Sequence, residues 1–278
     1  MVTVRHNRVF TIALYTFREA VRQRFLSVLL VLALGFIGSA TFFLQFNFGG
    51  SELKFIADFG WGVMFLFGSI VAIVTPSHLF FSEIEHRTAM TLLAKPLPRS
   101  TFLLGKLVGV VLLLAMFTAL LVSLLLAILA WRASTMADFE AVQSAGQMTL
   151  SYAGCALMGM LQFLKLSLLS AITLFICSFS KTNLYAVILG FFVMLVCQLQ
   201  YLARDHWGAI DFLPLRYAVL IVSKVFPNLQ LFNVGEALLF RTVVPMPLRL
   251  VGSIGLYGLL YIVFFYLMAV WSFRKREI

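Results

Sequence analysis

The amino-acid sequence predicts an all-α, polytopic membrane protein with six transmembrane helices, and three observations predict it. Hydrophobic residues make up 62% of the 278 positions and charged residues only 12%, whereas a soluble domain carries about 25% charge. With 29 phenylalanines and a mean hydropathy of +1.01, a water-soluble fold would expose large adhesive patches. The apolar residues also gather into six runs, roughly Phe25–Phe46, Gly60–Phe81, Phe102–Trp131, Met148–Phe179, Leu184–Leu202 and Val251–Phe273. Each is close to or above the ~20 residues a helix needs to cross the hydrocarbon core. None alternates with period two, as the strands of a transmembrane barrel would.

Ahead of the first run, residues 1–24 predict an amphipathic helix. Phe10, Leu14, Phe17 and Val21 share one side of a helical wheel, and Arg8, Tyr15, Arg18, Glu19 and Arg22 share the other. Such a helix lies flat in the interface, apolar side in the acyl boundary and arginines toward headgroups. A cleaved secretory signal fits poorly, because the apolar run exceeds an h-region and about 24 residues would precede it. Residues 1–278 read as one domain, without an internal repeat or an appended soluble module.

Charge sets the orientation. With the N-terminus inside and six crossings, the internal segments hold thirteen basic residues, among them Arg5, Arg8, Arg87, Lys95, Arg99, Lys106 and Lys181, against four acidic ones. The external segments hold seven of each, and Lys165 lies within the membrane. This is the positive-inside pattern, with both termini cytoplasmic. Anionic lipid is then the partner that the net charge of +10 implies, and no nucleic acid is needed. A seventh candidate, Leu213–Phe226, is short, contains Arg216 and Lys224, and as a full span would place Arg274, Lys275 and Arg276 outside. It reads as a re-entrant or interfacial piece of the external segment 203–249, which Pro214, Pro227, Pro245 and Pro247 interrupt.

Residues 82–101 join the second and third runs on the cytoplasmic side. Helix formers extend from Glu83 to Ala94, Pro96 and Pro98 stop them, and Ser100 or Thr101 is placed to cap the next helix. Acidic residues early and an apolar ridge of Met90 and Leu93 make this a docking surface, with Glu83, Glu85 and Arg87 expected to be exposed. Lys165, mid-run, shares a broad wheel face with Gln162, Ser151 and Thr173. An intramembrane charge marks a functional site by default, here a possible polar site at Gln162 and Lys165, or else a lysine that snorkels or pairs structurally.

Catalytic readings find no support. There is no GxxxxGK[ST] loop to hold nucleotide and no HExxH motif. His78, Glu83 and His86 are spaced too far apart for a helical zinc site. Cys155, Cys177 and Cys197 fall in the runs and read as small buried apolar residues. No cofactor is expected.

The stretch EIEHRTAMTLLAKPLPRSTFLLGKLVG resembles the span-two to span-three segment of type-2 ATP-binding-cassette (ABC) permeases. The matching residues are Glu85 (or Glu83), Thr88, Leu92, Pro96 and Arg99, followed by Lys106. The amphipathic start, FPNLQLFNVGEAL at 226–238 and the closing WSFRKREI are also similar to that family. The resemblance implies a non-catalytic permease in a bacterial cytoplasmic (inner) membrane, an exporter that dimerises with a second copy or a paralogue. It also implies separate ABC ATPase subunits, engaged through a coupling helix at Glu83–Ala94. The alternative is a secondary transporter acting without an ATPase, for which ion-coupling residues at the midplane would be needed. The cargo is not legible.

Overall fold

The computed structural model describes residues 2–43, 52–85, 98–135, 149–206, 225–234, 240–241 and 248–274. Seven α-helices carry most of them: α1 (Val2–Val21), α2 (Arg24–Phe43), α3 (Glu52–Glu85), α4 (Arg99–Thr135), α5 (Tyr152–Phe179), α6 (Asn183–His206) and α7 (Leu248–Arg274). All but α1 are long and apolar enough to cross a membrane. The six runs are therefore six helices, and the chain is a multi-pass membrane protein. At about 1.5 Å per residue, the 34 residues of α3 and the 37 of α4 outreach a hydrocarbon core about 30 Å thick. The helices that flank the predicted coupling segment thus project beyond the apolar layer.

Two helices form the centre. In α3 and α5, 72% and 78% of the membrane-spanning window is buried, against 28% in α2, α6 and α7. α5 packs against α3, α4, α6 and α7, and it admits polar side chains by satisfying them within the helix. Ser167 Oγ donates to the Phe163 carbonyl at 2.8 Å, and Thr173 Oγ1 to the Leu169 carbonyl at 3.0 Å. α5 starts where Ser151 Oγ accepts the Gly154 N–H at 3.0 Å, the usual side-chain cap for an unpaired helical donor. The outer helices expose Leu, Ile, Val and Phe to the surroundings, as lipid contact requires.

α1 docks through residues that its helical wheel does not single out. Of the predicted apolar side, Phe10 is 64% exposed and Val21 is exposed, whereas Leu14 and Phe17 are half-buried and Phe17 packs against the core. The buried residues are instead small: Ala13, Thr16 and Ala20. They meet α4 at Gly105 and Gly109, a small-xxx-small spacing that lets two backbones approach closely. A Cβ at Gly109 would come within 2.6 Å of Thr16 Cβ and 2.7 Å of the Ala13 carbonyl oxygen, and one at Gly105 within 2.6 Å of Ile12 Cγ2. α1 therefore has three faces, one apolar and partly exposed, one charged, and one docked on α4.

The predicted external segment is partly described. Val225 and Phe226 lead into a 3-10 turn at Leu229–Phe232, capped by Asn228, whose Oδ1 accepts the Gln230 N–H at 2.9 Å. Leu229 and Phe232 are fully buried against the helices. The Asn228 N–H donates to Tyr257 Oη at 2.9 Å, and Gln198 Nε2 donates to Gln230 Oε1 at 3.0 Å. Residues 207–224, most of the candidate Leu213–Phe226, lie outside the described residues. A two-residue antiparallel pair, Thr149–Leu150 with Phe240–Arg241, is the one element of sheet among the described residues.

Candidate functional site

At the end of the bundle where α7 terminates, α3, α4 and α7 are joined by a compact set of contacts. Lys106, about two turns into α4, is 1% exposed. Its Nζ lies 2.9 Å from Glu83 Oε1, also donates to the Leu79 carbonyl, and stands 5.5 Å from the centre of the Phe102 ring. Glu83 sits in the last turn of α3, which runs on through Glu85. The expectation that a separate exposed helix begins at Glu83 is thus corrected: Glu83 ends the second span and its side chain is only 11% exposed. The reason is the ammonium opposite. A lysine taken out of water needs a carboxylate and further acceptors around it, and Glu83 and Leu79 provide them. Glu19 of α1 adds an electrostatic interaction with this pair.

The other junction is Arg99, the first residue of α4. Its Nη1 donates to the carbonyls of Phe273 and Arg274 at 3.0 and 3.1 Å, and its guanidinium lies 5.7 Å from the Phe273 ring centre. It thereby satisfies carbonyls left open at the C-terminus of α7 and puts positive charge against that negative dipole end. Phe273 stacks on Phe102 and meets Phe80 edge-on, and Tyr266 Oη donates to the Ser100 carbonyl at 3.0 Å. Of the residues predicted to form the coupling site, Glu83 and Arg99 are thus tied to the spans. Arg87, Thr88, Leu92 and Pro96 lie outside the described residues, as does the side chain of Glu85. Charge counting along the sequence places Lys106 among the cytoplasmic charges, whereas its position after the predicted cap at Ser100, well inside a helix, is the signal for a hub.

At the opposite end of the bundle, a cavity of about 610 Å³ opens between α3, α5, α6 and the 3-10 turn. Lys165 and Gln162 of α5 line it, with Trp61 and Phe65 of α3 facing them. Lys165 is 3% exposed, and its Nζ is 3.9 Å from the centre of the Phe65 ring. Gln162 Nε2 and Trp61 Nε1 are buried without a hydrogen-bond partner among the described residues. Of the polar residues predicted to share a face with Lys165, only Gln162 joins it. Ser151 is spent on capping α5, and Thr173 bonds within its own helix.

No group of three or more possible metal ligands occurs among the described residues. His78 is exposed, and His86 lies outside the described residues. The three cysteines are buried. The sequence matches the family model described as ABC-2 family transporter protein over residues 10–205. No curated protein matches the chain.

Proposed function

This chain belongs to the ABC-2 family of transporter proteins, a transmembrane ABC transporter subunit, and from that premise we propose that it is the permease of an exporter driven by separate ATPase subunits. The proposed complex has two permeases, as two copies or as a copy and a paralogue, in a bacterial inner membrane with both termini cytoplasmic. The subunit itself is non-catalytic, and the energy of hydrolysis arrives through the segment that links α3 to α4.

The observation that carries this reading is the anchoring of that segment at both ends. On one side Glu83 is locked to Lys106, and on the other Arg99 is locked to the end of α7. A push delivered between residues 86 and 97 therefore reaches α3, α4 and α7 through an ion pair and charge-assisted hydrogen bonds rather than through a slack loop. Coupling requires such a differential contact between two states of the complex. Glu85, Arg87, Thr88, Leu92 and Pro96 are the residues we assign to the ATPase contact. Glu83 and Arg99 brace it from behind.

The test replaces Glu85 and Arg87 with alanine and leaves Glu83 in place, since removing Glu83 would strand Lys106. The variant is expected to insert and purify normally, and to lose co-purification of the ATPase or substrate-stimulated hydrolysis. Full ATPase association together with full transport in the variant would overturn the coupling assignment. Transport by the permease in vesicles without any ATPase would instead establish a secondary transporter.

A further inference from the structure

We propose that the cavity at Lys165 is a binding site for an organic anion: a carboxylate or phosphate group held by Lys165 and Gln162, with an apolar body lying on Trp61 and Phe65. The case rests on what the cavity leaves uncompensated. An ammonium removed from water loses more hydration than the face of an aromatic ring returns. Lys165 has that ring and, among the described residues, no carboxylate within ion-pair distance. Gln162, 2% exposed, and Trp61, 5% exposed, line the same cavity, and each carries a buried N–H group without a hydrogen-bond partner among the described residues. A buried cation and two unpartnered donors gathered at one cavity suit an anion.

Other groups around the cavity do not fill this role. Gln198 donates its amide to Gln230, and its Oε1 is a buried acceptor without a hydrogen-bond partner among the described residues. Asp58 is exposed at the rim and precedes Phe65 by seven residues, which is about 10 Å along α3. It marks the mouth, and Lys165 marks the inner end. The volume, 610 Å³, is within the range of small-molecule sites, about 300–1,000 Å³. The aromatic wall and the charged end together fit an amphiphile better than an inorganic ion.

The experiment uses the full chain in phosphatidylcholine nanodiscs, with Trp131, Trp207 and Trp271 changed to Phe so that Trp61 alone reports. Decyl phosphate and decanoate are titrated against decanol, which has the same tail without the charge. Both anions are expected to shift Trp61 fluorescence saturably at concentrations at least about tenfold below decanol. Lys165→Met is expected to erase that preference and Lys165→Arg to keep it. Equal titration by anions and alcohol in the lysine protein would overturn the proposal without any need for a variant. So would a preference that survives Lys165→Met. Adding phosphatidylglycerol to the discs identifies the source. Competition with decyl phosphate that depends on Lys165 means a lipid headgroup, and its absence means a free amphiphile. No ATPase enters the measurement, so its outcome is independent of the coupling assignment.

Discussion

Lys106 and Lys165 are both buried in the spans, one near the end where α7 terminates and one midway along α5, and they are housed in opposite ways. Lys106 has a carboxylate at 2.9 Å, a backbone carbonyl and a more distant aromatic ring, and it closes the junction of three helices. Lys165 has a ring face and an open cavity. A fully partnered buried charge fixes geometry, because neither member can leave without stranding the other. A partly partnered one leaves interaction energy available to something that arrives later. The first arrangement suits a joint that must transmit force, and the second suits a site that must be filled and emptied.

The contrast breaks most readily at Lys106. Lys106→Met is expected to destabilise the permease by about 3–5 kcal/mol, because it takes the ammonium away from the buried Glu83 carboxylate. Adding Glu83→Gln should recover most of that loss, and thermal melts of the single and double variants in detergent would show it. An additive pair would mean the two residues do not act together. Next comes Arg99→Gln, which gives up charge-assisted bonds to the end of α7 and should cost about 1–2 kcal/mol. Its signature is faster proteolysis or hydrogen exchange at the end of α7, while the Lys165 cavity keeps its ligand response. The smallest effect, and opposite in sign, belongs to Lys165→Met. Without ligand it should leave the melting temperature unchanged or raise stability by up to about 1 kcal/mol, since a methionine of similar length needs no partner. A loss of several kcal/mol there would mean that Lys165 is structural like Lys106.

Much of this was legible in the sequence. Six spans follow from apolar runs alone, because lipid tolerates little else at that depth, and Lys165 stood out as a charge in mid-run. Glu83 and Lys106 were not legible as a pair. A hydropathy reading ends a span at its first charges, and whether two charges face water or each other depends on how α3 and α4 pack. The docking of α1 was half legible. Its wheel was read for large apolar residues, while the contact is made by Ala13, Thr16 and Ala20, which a hydrophobic scale scarcely weights. The spacing of Gly105 and Gly109 was the available signal for that contact. Ser151 and Thr173 were placed beside Lys165 by wheel angle, which says nothing about whether a hydroxyl is already committed to its own helix. The two-residue strand pair between 149–150 and 240–241 had no pattern to find.

The fit of α1 against Gly105 and Gly109 also bears on how the protein is made. α1 ends at Val21 and its partner surface begins at Gly105, so roughly eighty residues must be synthesised before the two can meet. At about 5–20 residues per second, the newborn helix waits on the order of 4–16 s with its small-residue face uncovered. During that wait Phe10, Leu14, Phe17 and Val21 have lipid as their natural resting place. In this order of events α1 cannot dock until α4 has been made, although it is translated well before it.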